Sequence, residues 1–272
     1  MDRNGWESPD SALEHGGGAG TLRLRVPEEP RRAAEGFRGL SEPLECPRPA
    51  PGTKTLYLCD FDGTVACEDV GNRFFATFTT DRPAWDAIIA DWVAGRAGGR
   101  EVLARECALV DVDAARLALF VAARRLDPAF GPFVAAARAA GSQVAIASDG
   151  LLTYIRPLLE RAGLADVAAR SNDARLVGRR LEPAFGSAAG EGCGRCGTCK
   201  GAVLAELAPD YGRTVFVGDG LSDRCAAPHA DVVYARDDLW AHCRAVGIVA
   251  RPFETFADVA LAEGLQLERE AR

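Results

Sequence analysis

Asp60 and Asp62 lie two residues apart at the end of the apolar run Leu56-Tyr57-Leu58-Cys59, and Gly63 and Thr64 follow them. In an extended strand alternate side chains share a side, so the pair is expected to point together into one crevice. Gly63 supplies the freedom to turn the chain sharply away. Two carboxylates this close ionise together only when a cation lies between them; otherwise one keeps its proton. Either outcome is chemistry, and the first reading is an enzyme.

Such a pair needs a frame, and the chain from residue 53 onward has the pattern of one. Apolar strands alternate with helical segments, the signature of an α/β domain with a parallel sheet. Strands are predicted at 55–59, 143–147, 214–217 and 231–234. Three of them run into polar residues: Asp60, the pair Ser148 and Asp149, and Asp219 one glycine later. Ligand crevices in open parallel sheets lie at the carboxyl ends of the strands, so these residues are expected to converge. Between the first two strands, apolar residues at three- and four-residue steps predict helices at 74–78, 83–93, 101–110 and 114–125. Asp127-Pro128 breaks the pattern, and helices over 130–140 and 154–162 flank the second strand. Residues 167–185 read as short strands, with turns at Asn172-Asp173 and at Gly178. The expected organisation is a Rossmann-like parallel sheet flanked by helices (53–66 and 127–260), a helical cap (67–126) inserted between the first and second motif strands, and a disordered tail (1–50).

Thirteen of the first fifty residues are Pro or Gly, with no sustained period, and only an isolated strand at 22–26 suggests itself. Elsewhere 272 residues with 48% hydrophobic content suffice for a sizeable core. A net charge of −7 argues against nucleic acid or an anionic membrane as partner. No apolar run approaches the roughly 18 residues of a membrane span, and no secretory pattern opens the chain. Nine cysteines, an odd number in a chain too large to need staples, suit reduced thiols in the cytoplasm.

Asp60-Phe61-Asp62-Gly63-Thr64, Ser148-Asp149-Gly150, Lys200 and Gly218-Asp219-Gly220-Leu221-Ser222-Asp223, in this order, resemble the four motifs of the haloacid dehalogenase superfamily. The resemblance spans about residues 53–260. With helices between the first two motifs, the chain is similar to the phosphoserine-phosphatase-like branch. Cys193-Gly194-Arg195-Cys196-Gly197-Thr198-Cys199 and Tyr234-Ala235-Arg236-Asp237-Asp238-Leu239 look closest to the group that includes 2-hydroxy-3-keto-5-methylthiopentenyl-1-phosphate phosphatases. Phosphocholine/phosphoethanolamine phosphatases are more distant by the same pattern.

The resemblance implies Mg²⁺-dependent hydrolysis of a small phosphorylated metabolite. Asp60 would attack phosphorus, and Asp62 would protonate the leaving group and then activate water. Mg²⁺ would be held by the Asp60 carboxylate, the Asp62 backbone carbonyl and Asp219, with Asp223 supporting that site from behind. Ser148 and Lys200 would bind phosphoryl oxygens. Asp69 falls where phosphoserine phosphatases carry a carboxylate for the substrate's amino group; Arg73, four residues on, would share its helix face. The role of Asp149 stays open. Charge on a transferring phosphoryl group is what a cation, an ammonium and hydrogen-bond donors stabilise best. A metal and a lysine would keep Asp60 ionised, while neighbouring negative charge raises Asp62. Oxygen-only ligation suits Mg²⁺.

Cys193, Cys196 and Cys199 have metal-type spacing, but a tetrahedral Zn²⁺ site needs a fourth ligand. Cys67, Cys225, His229, His242 and Cys243 are the candidates, and reduced thiols in a glycine-rich flap are the alternative. Cys59 and Cys107 read as packing residues. The other readings of the whole chain are a phosphotransferase to an alcohol acceptor and a non-catalytic binding protein of the same fold.

Overall fold

The computed structural model describes residues 54–185 and 192–267. The expected tail and the strand at 22–26 lie outside these. The described part belongs to one compact unit, Cys46–Arg272.

Seven strands form one sheet in the order β4-β3-β2-β1-β5-β6-β7. They are β1 (Thr55–Cys59), β2 (Gln143–Leu151), β3 (Ala168–Val177), β4 (Arg180–Ala184), β5 (Arg213–Gly218), β6 (Val232–Ala235) and β7 (Arg251–Pro252). All neighbours are parallel except β3 and β4, which form an antiparallel hairpin. β1 is buried over its whole length, as a central parallel strand covered on both faces must be. The chain builds outward from β1 in one direction through β2 and β3, then returns to its other side with β5. A crevice opens at such a reversal, at the carboxyl end of β1, where Asp60 sits.

The pleat of β1 sorts its residues between two cores. Tyr57 and Cys59 face one with Phe133, Val144, Ile155, Val215 and Phe256. Leu56 and Leu58 face the other with Val203, Leu204, Phe216, Val233 and Leu239. On the first side lie α5 (Phe130–Ala139), α6 (Leu152–Arg161) and α9 (Phe256–Glu263); on the second lie α7 (Lys200–Leu207) and α8 (Asp237–Val246). Glu263 of α9 is buried but satisfied. It accepts from both Arg213 Nη atoms (2.5 and 3.1 Å) and from the hydroxyls of Tyr57 (3.2 Å) and Tyr234 (2.8 Å), so one carboxylate joins β1, β5 and β6.

The insertion between β1 and α5 contains α1 (Val70–Phe78), α2 (Arg82–Val93), α3 (Gly99–Ala108) and α4 (Ala114–Ala122). Asp69, Asp81 and Asp113 each accept an amide at the start of α1, α2 and α4 and so set where these helices begin. The segment leaves and returns side by side: Ala66 bridges Leu126, and the Cys67 amide donates to the Arg125 carbonyl at 3.0 Å. Phe74 of α1 packs against Phe120 of α4 (5.4 Å between centroids) and Tyr154 of α6 (6.2 Å), tying insertion to sheet domain.

Two expectations for this region fail. The strand expected at 143–147 continues to Leu151, so Ser148 and Asp149 lie within β2 rather than past its end. No turn forms at Asn172-Asp173: β3 runs straight through, pairing with β2 as far as Asn172 and with β4 from Asp173. The polar pair marks a change of partner, with the Asn172 amide donating to the Asp149 carbonyl at 2.8 Å. The turn at Gly178 is real, with φ +63°. β7 and α9 were not foreseen.

Candidate active site

Asp60 keeps the parity of Leu56 and Leu58 and therefore points toward the α7 side of the sheet. There it meets Lys200, the first residue of α7, with Nζ 2.6 Å from Asp60 Oδ1. Lys200 is 1% exposed and spends its other hydrogens on Asp223 Oδ1 (2.5 Å) and Ser222 Oγ (2.8 Å). Burial alone would lower its pKa, but Asp223 and Asp60 outweigh it and hold the ammonium charged. The other Asp223 oxygen accepts the amides of Asp219 (2.9 Å) and Gly220 (2.8 Å), so Asp223 orients both Lys200 and the turn after β5.

Asp62 is directed elsewhere. After Asp60 the chain winds tightly through Phe61–Val65, with Gly63 at φ +73°. The Asp62 carboxylate accepts the Gly71 amide (3.0 Å), the Tyr154 hydroxyl (3.0 Å) and Ser148 Oγ (3.3 Å). The expected convergence of the pair is thus corrected. Both lie at one crevice, but they have separate partners on opposite faces of the sheet, because the chain winds tightly from Phe61 onward, before Asp62 is reached, and this ends the strand alternation. A Cβ on Gly63 would strike Asp219, and one on Gly150 would strike the Tyr154 hydroxyl and lie 2.5 Å from Asp62 Oδ2. Both glycines allow close approach rather than merely a turn.

Burial first, then the charge of Asp69, pushes the Asp62 carboxyl up to about 7. The neighbouring charge that matters is therefore Asp69 rather than Asp60. Burial and then Asp223 push Asp60 up as well, against the pull of Lys200. Asp219, which accepts Thr64 Oγ1 at 2.8 Å, is pushed up to about 7 by burial and then Asp223. Asp60, Asp219 and Asp223 each bring an oxygen within 4.8 Å of the other two. Three crowded carboxylates against one ammonium would, when all are ionised, leave two negative charges, and the donors are all oxygen. That is the donor set a hard divalent cation such as Mg²⁺ fits.

Ser148 is fully buried, accepts the Gly150 amide at 3.0 Å and reaches Asp62; it does not cap α6, whose cap residue is Leu151. Asp69 is exposed and accepts the Asn72 amide at 2.7 Å. Arg73 pairs with Glu68 rather than with Asp69. A Cβ on Gly71 would lie 3.6 Å from Asp69 Oδ1 and 3.7 Å from Asp62 Oδ2, so the two carboxylates flank one glycine. Asp149 accepts the Thr198 amide (2.8 Å) and the Asn172 side chain (3.1 Å), which joins β2 to the cysteine-rich loop.

Several participants escaped the sequence reading. Tyr154 carries its hydroxyl to Asp62, and burial, then the Asp62 charge, keep it protonated. Arg236 donates to the Gly63 carbonyl and, at 2.6 Å, to Glu254, while stacking on Phe253. Glu106 of α3 is buried, accepts Trp85 Nε1 at 2.9 Å and is pushed up to about 8 by burial. Arg236 lay inside a quoted motif and could have been singled out; Tyr154 and Glu106 sit in ordinary helical patterns.

A sheet with its strand reversal at β1, carrying an aspartate loop, a buried lysine and an acidic turn at one crevice, defines the class as a phosphoryl-handling hydrolase of doubly wound fold. The sequence profile of haloacid dehalogenase-like hydrolases matches residues 57–228. The chain is 32% identical over 212 residues to 2-hydroxy-3-keto-5-methylthiopentenyl-1-phosphate phosphatase of Geobacillus kaustophilus, covering 76% of this chain and 94% of that one. A probable phosphoserine phosphatase from Vibrio cholerae superposes with a TM-score of 0.62 at 21% identity, over 80% of this chain and 66% of that one. A phosphoserine phosphatase solved as a phospho-aspartyl intermediate analogue superposes at 0.61 with 18% identity, over 79% and 100%. The chain belongs to the haloacid dehalogenase-like hydrolase family, and the Geobacillus relative is named as a phosphatase.

Proposed function

We propose that the chain hydrolyses a small phosphomonoester through an aspartyl-phosphate on Asp60, with Mg²⁺ as cofactor. The observation that supports this best is the division between two carboxylates of one loop. Asp60 is held by Lys200 beside Asp219 and Asp223, while Asp62 titrates near neutrality among Tyr154, Ser148 and Gly71. An ammonium and a metal-type carboxylate cluster around Asp60, against uncharged donors around Asp62, suit one as nucleophile and the other as acid and base. Asp60 Oδ forms the new bond to phosphorus as the ester P–O bond breaks, and the leaving alkoxide takes the Asp62 proton. Water then attacks the aspartyl-phosphate, giving its proton back to Asp62, and inorganic phosphate departs. Lys200 and Ser148 would meet phosphoryl oxygens. The Asp60 and Asp219 carboxylates and the Asp62 backbone carbonyl would hold Mg²⁺, which when bound offsets the carboxylate crowding and the charge of the phosphoryl group. Residues 67–126 serve as a cap that excludes water during the first step. The odd number of thiols favours the cytoplasm as the place of this reaction.

Asp62→Asn tests the assignment. Turnover of an alkyl phosphate is expected to fall by roughly 10²–10⁴-fold. An aryl ester, whose phenolate leaves without a proton, still phosphorylates Asp60, so phosphoenzyme accumulates for want of a base. In the parent, alkyl-ester turnover drops as pH rises past about 7, where Asp62 loses its proton. Equal losses on both esters with no phosphoenzyme would remove Asp62 from this role.

Asp69 is proposed to face the part of the substrate beyond its phosphate. Asp69→Ala is expected to change the preference between amine-bearing and neutral esters by roughly tenfold or more, the scale of a charged hydrogen bond. The aryl phosphate rate, whose phenolate leaves without the Asp62 proton, stays within a few-fold. Phosphoserine, phosphocholine and the methylthiopentenyl phosphate named for the Geobacillus relative make a suitable panel; an unaltered order of preference would return Asp69 to a purely capping role.

A further inference from the structure

The tertiary structure brings a fourth sulfur to the cysteine-rich loop. Cys225, on the turn Leu221–Cys225, stands with Sγ 3.8 Å from Cys199 Sγ and 4.0 Å from Cys196 Sγ. Cys193 and Cys196 are 3.4 Å apart, and Cys193, Cys199 and Cys225 all lie within 4.8 Å of one another. Zn–S bonds of about 2.3 Å in a tetrahedron require sulfurs about 3.8 Å apart. None of the four is in a disulfide. Of the candidates weighed from the sequence, Cys67 is exposed on the insertion neck, Cys243 is packed among Leu239 and Phe216, and neither His229 nor His242 joins the sulfur group. We infer that Cys193, Cys196, Cys199 and Cys225 form a structural Zn²⁺ site of four thiolates, distinct from the carboxylate site.

Backbone amides are aimed at two of the sulfurs. The Cys193 amide donates to Cys199 Sγ at 3.3 Å, and the first-turn amides of Gly201 and Ala202 sit against the sulfurs of Cys225 and Cys199. Amides at a helix start favour negative sulfur. Four thiolates with one Zn²⁺ carry two net negative charges, and Arg195 and Arg224 line the cavity of about 400 Å³ beside them. Gly192 and Gly201 leave room for this: a Cβ at Gly192 would strike Cys199, and one at Gly201 would strike the Cys225 carbonyl.

The position explains why a metal would serve here. Cys199 immediately precedes Lys200, and Cys225 lies two residues beyond Asp223. One ion therefore ties the start of α7 to the turn that carries Ser222 and Asp223, both partners of Lys200. The same loop gives the Arg195 carbonyl to the Gly99 amide at the start of α3 and the Thr198 amide to Asp149 on β2. That loop is glycine-rich and short of apolar side chains, so ligation replaces a core it cannot build.

The full chain, expressed in zinc-supplemented medium and purified without chelator, is expected to carry about one zinc per chain by elemental analysis. Exchange with Co²⁺ should produce the intense visible bands and sulfur-to-metal charge transfer of a tetrahedral tetrathiolate centre. Cys225→Ser should lose most of the metal, whereas Cys67→Ser keeps it. Absence of zinc with all thiols alkylating freely, a Cys193–Cys196 disulfide in the fresh protein, or full zinc retention in Cys225→Ser would each overturn the site. Should Cys225→Ser fail to fold, metal content and the cobalt spectrum of the parent decide alone. The value of the ion to Lys200 rests on the phosphatase reading, but the two fail separately. Zinc in an inactive protein defeats only the reaction, and Mg²⁺-supported turnover in a zinc-free protein defeats only the zinc site.

Discussion

Asp60→Asn is expected to abolish Mg²⁺-supported hydrolysis of an aryl phosphate, a loss on the order of 10⁶-fold, the scale for removing a covalent nucleophile. The amide has the same shape and still offers an oxygen to the Phe61 amide and to Lys200, both 2.6 Å from Asp60 Oδ1. It cannot displace the phenolate from phosphorus. The variant should also fold at least as well as the parent. One of three crowded carboxylates is gone, and with it the cost that burial and Asp223 place on an ionised Asp60. Steady-state turnover, phosphoenzyme trapping and urea denaturation on the same preparation check all three points. Parent-like turnover in Asp60→Asn would end the aspartyl-phosphate proposal, whatever became of stability.

Lys200→Met carries the largest expected effect on folding. It removes the ammonium between two buried carboxylates, Asp60 and Asp223, which are 4% and 0% exposed. Breaking a buried pair costs about 3–5 kcal/mol because the remaining charge is left uncompensated. The loss should depend on pH in a definite sense. The Asp60 carboxyl, already pushed up in the parent by burial and Asp223, goes higher once the pull of Lys200 is gone. A carboxyl raised on folding binds more protons folded than unfolded, so its contribution weakens as pH rises from the unfolded value through the folded one. The deficit of Lys200→Met, measured by urea denaturation in chelator, is therefore greatest at about pH 8 and shrinks toward about pH 5. Adding Asp223→Asn should restore part of the loss, since the two residues share one network. A deficit below about 1 kcal/mol at every pH would show that the cleft relaxes to admit water to the carboxylates.

How far the site could be read in advance differs residue by residue, for physical reasons. Asp60 and Asp219 follow the ends of β1 and β5 and Ser148 lies in the last part of β2, and the apolar runs of those strands are enough to place the three near one another, whereas Lys200 opens α7 and was placed by the order of the motifs. Where Asp62 points was misjudged, because alternation holds only while the backbone stays extended, and the chain starts to wind at Phe61, one residue before Asp62. Tyr154 and Glu106 were invisible, since an aromatic or a glutamate in an amphipathic helix has no local mark distinguishing a partner from a packing residue. The turn wrongly expected at Asn172-Asp173 shows the same limit. Asn and Asp favour turns locally, yet here Asn172 satisfies the Asp149 carbonyl on the neighbouring strand, a partner set by sheet order.

The sequence alone determined the kind of chemistry. Two aspartates separated by one residue at the end of an apolar strand, a lysine opening a helix and a later acidic turn restrict the carboxylates to a few arrangements, because their charges must be balanced nearby. It also determined the architecture, through short continuous apolar runs for the strands and steps of three and four residues for the helices, which a folded chain must bury. Only the tertiary structure decided who balances whom. Strand order put Lys200 between Asp60 and Asp223, the winding that begins at Phe61 sent Asp62 to Tyr154, and the turn after β5 carried Cys225 to the three cysteines of a distant loop. These pairings depend on distances through space that spacing along a chain does not encode.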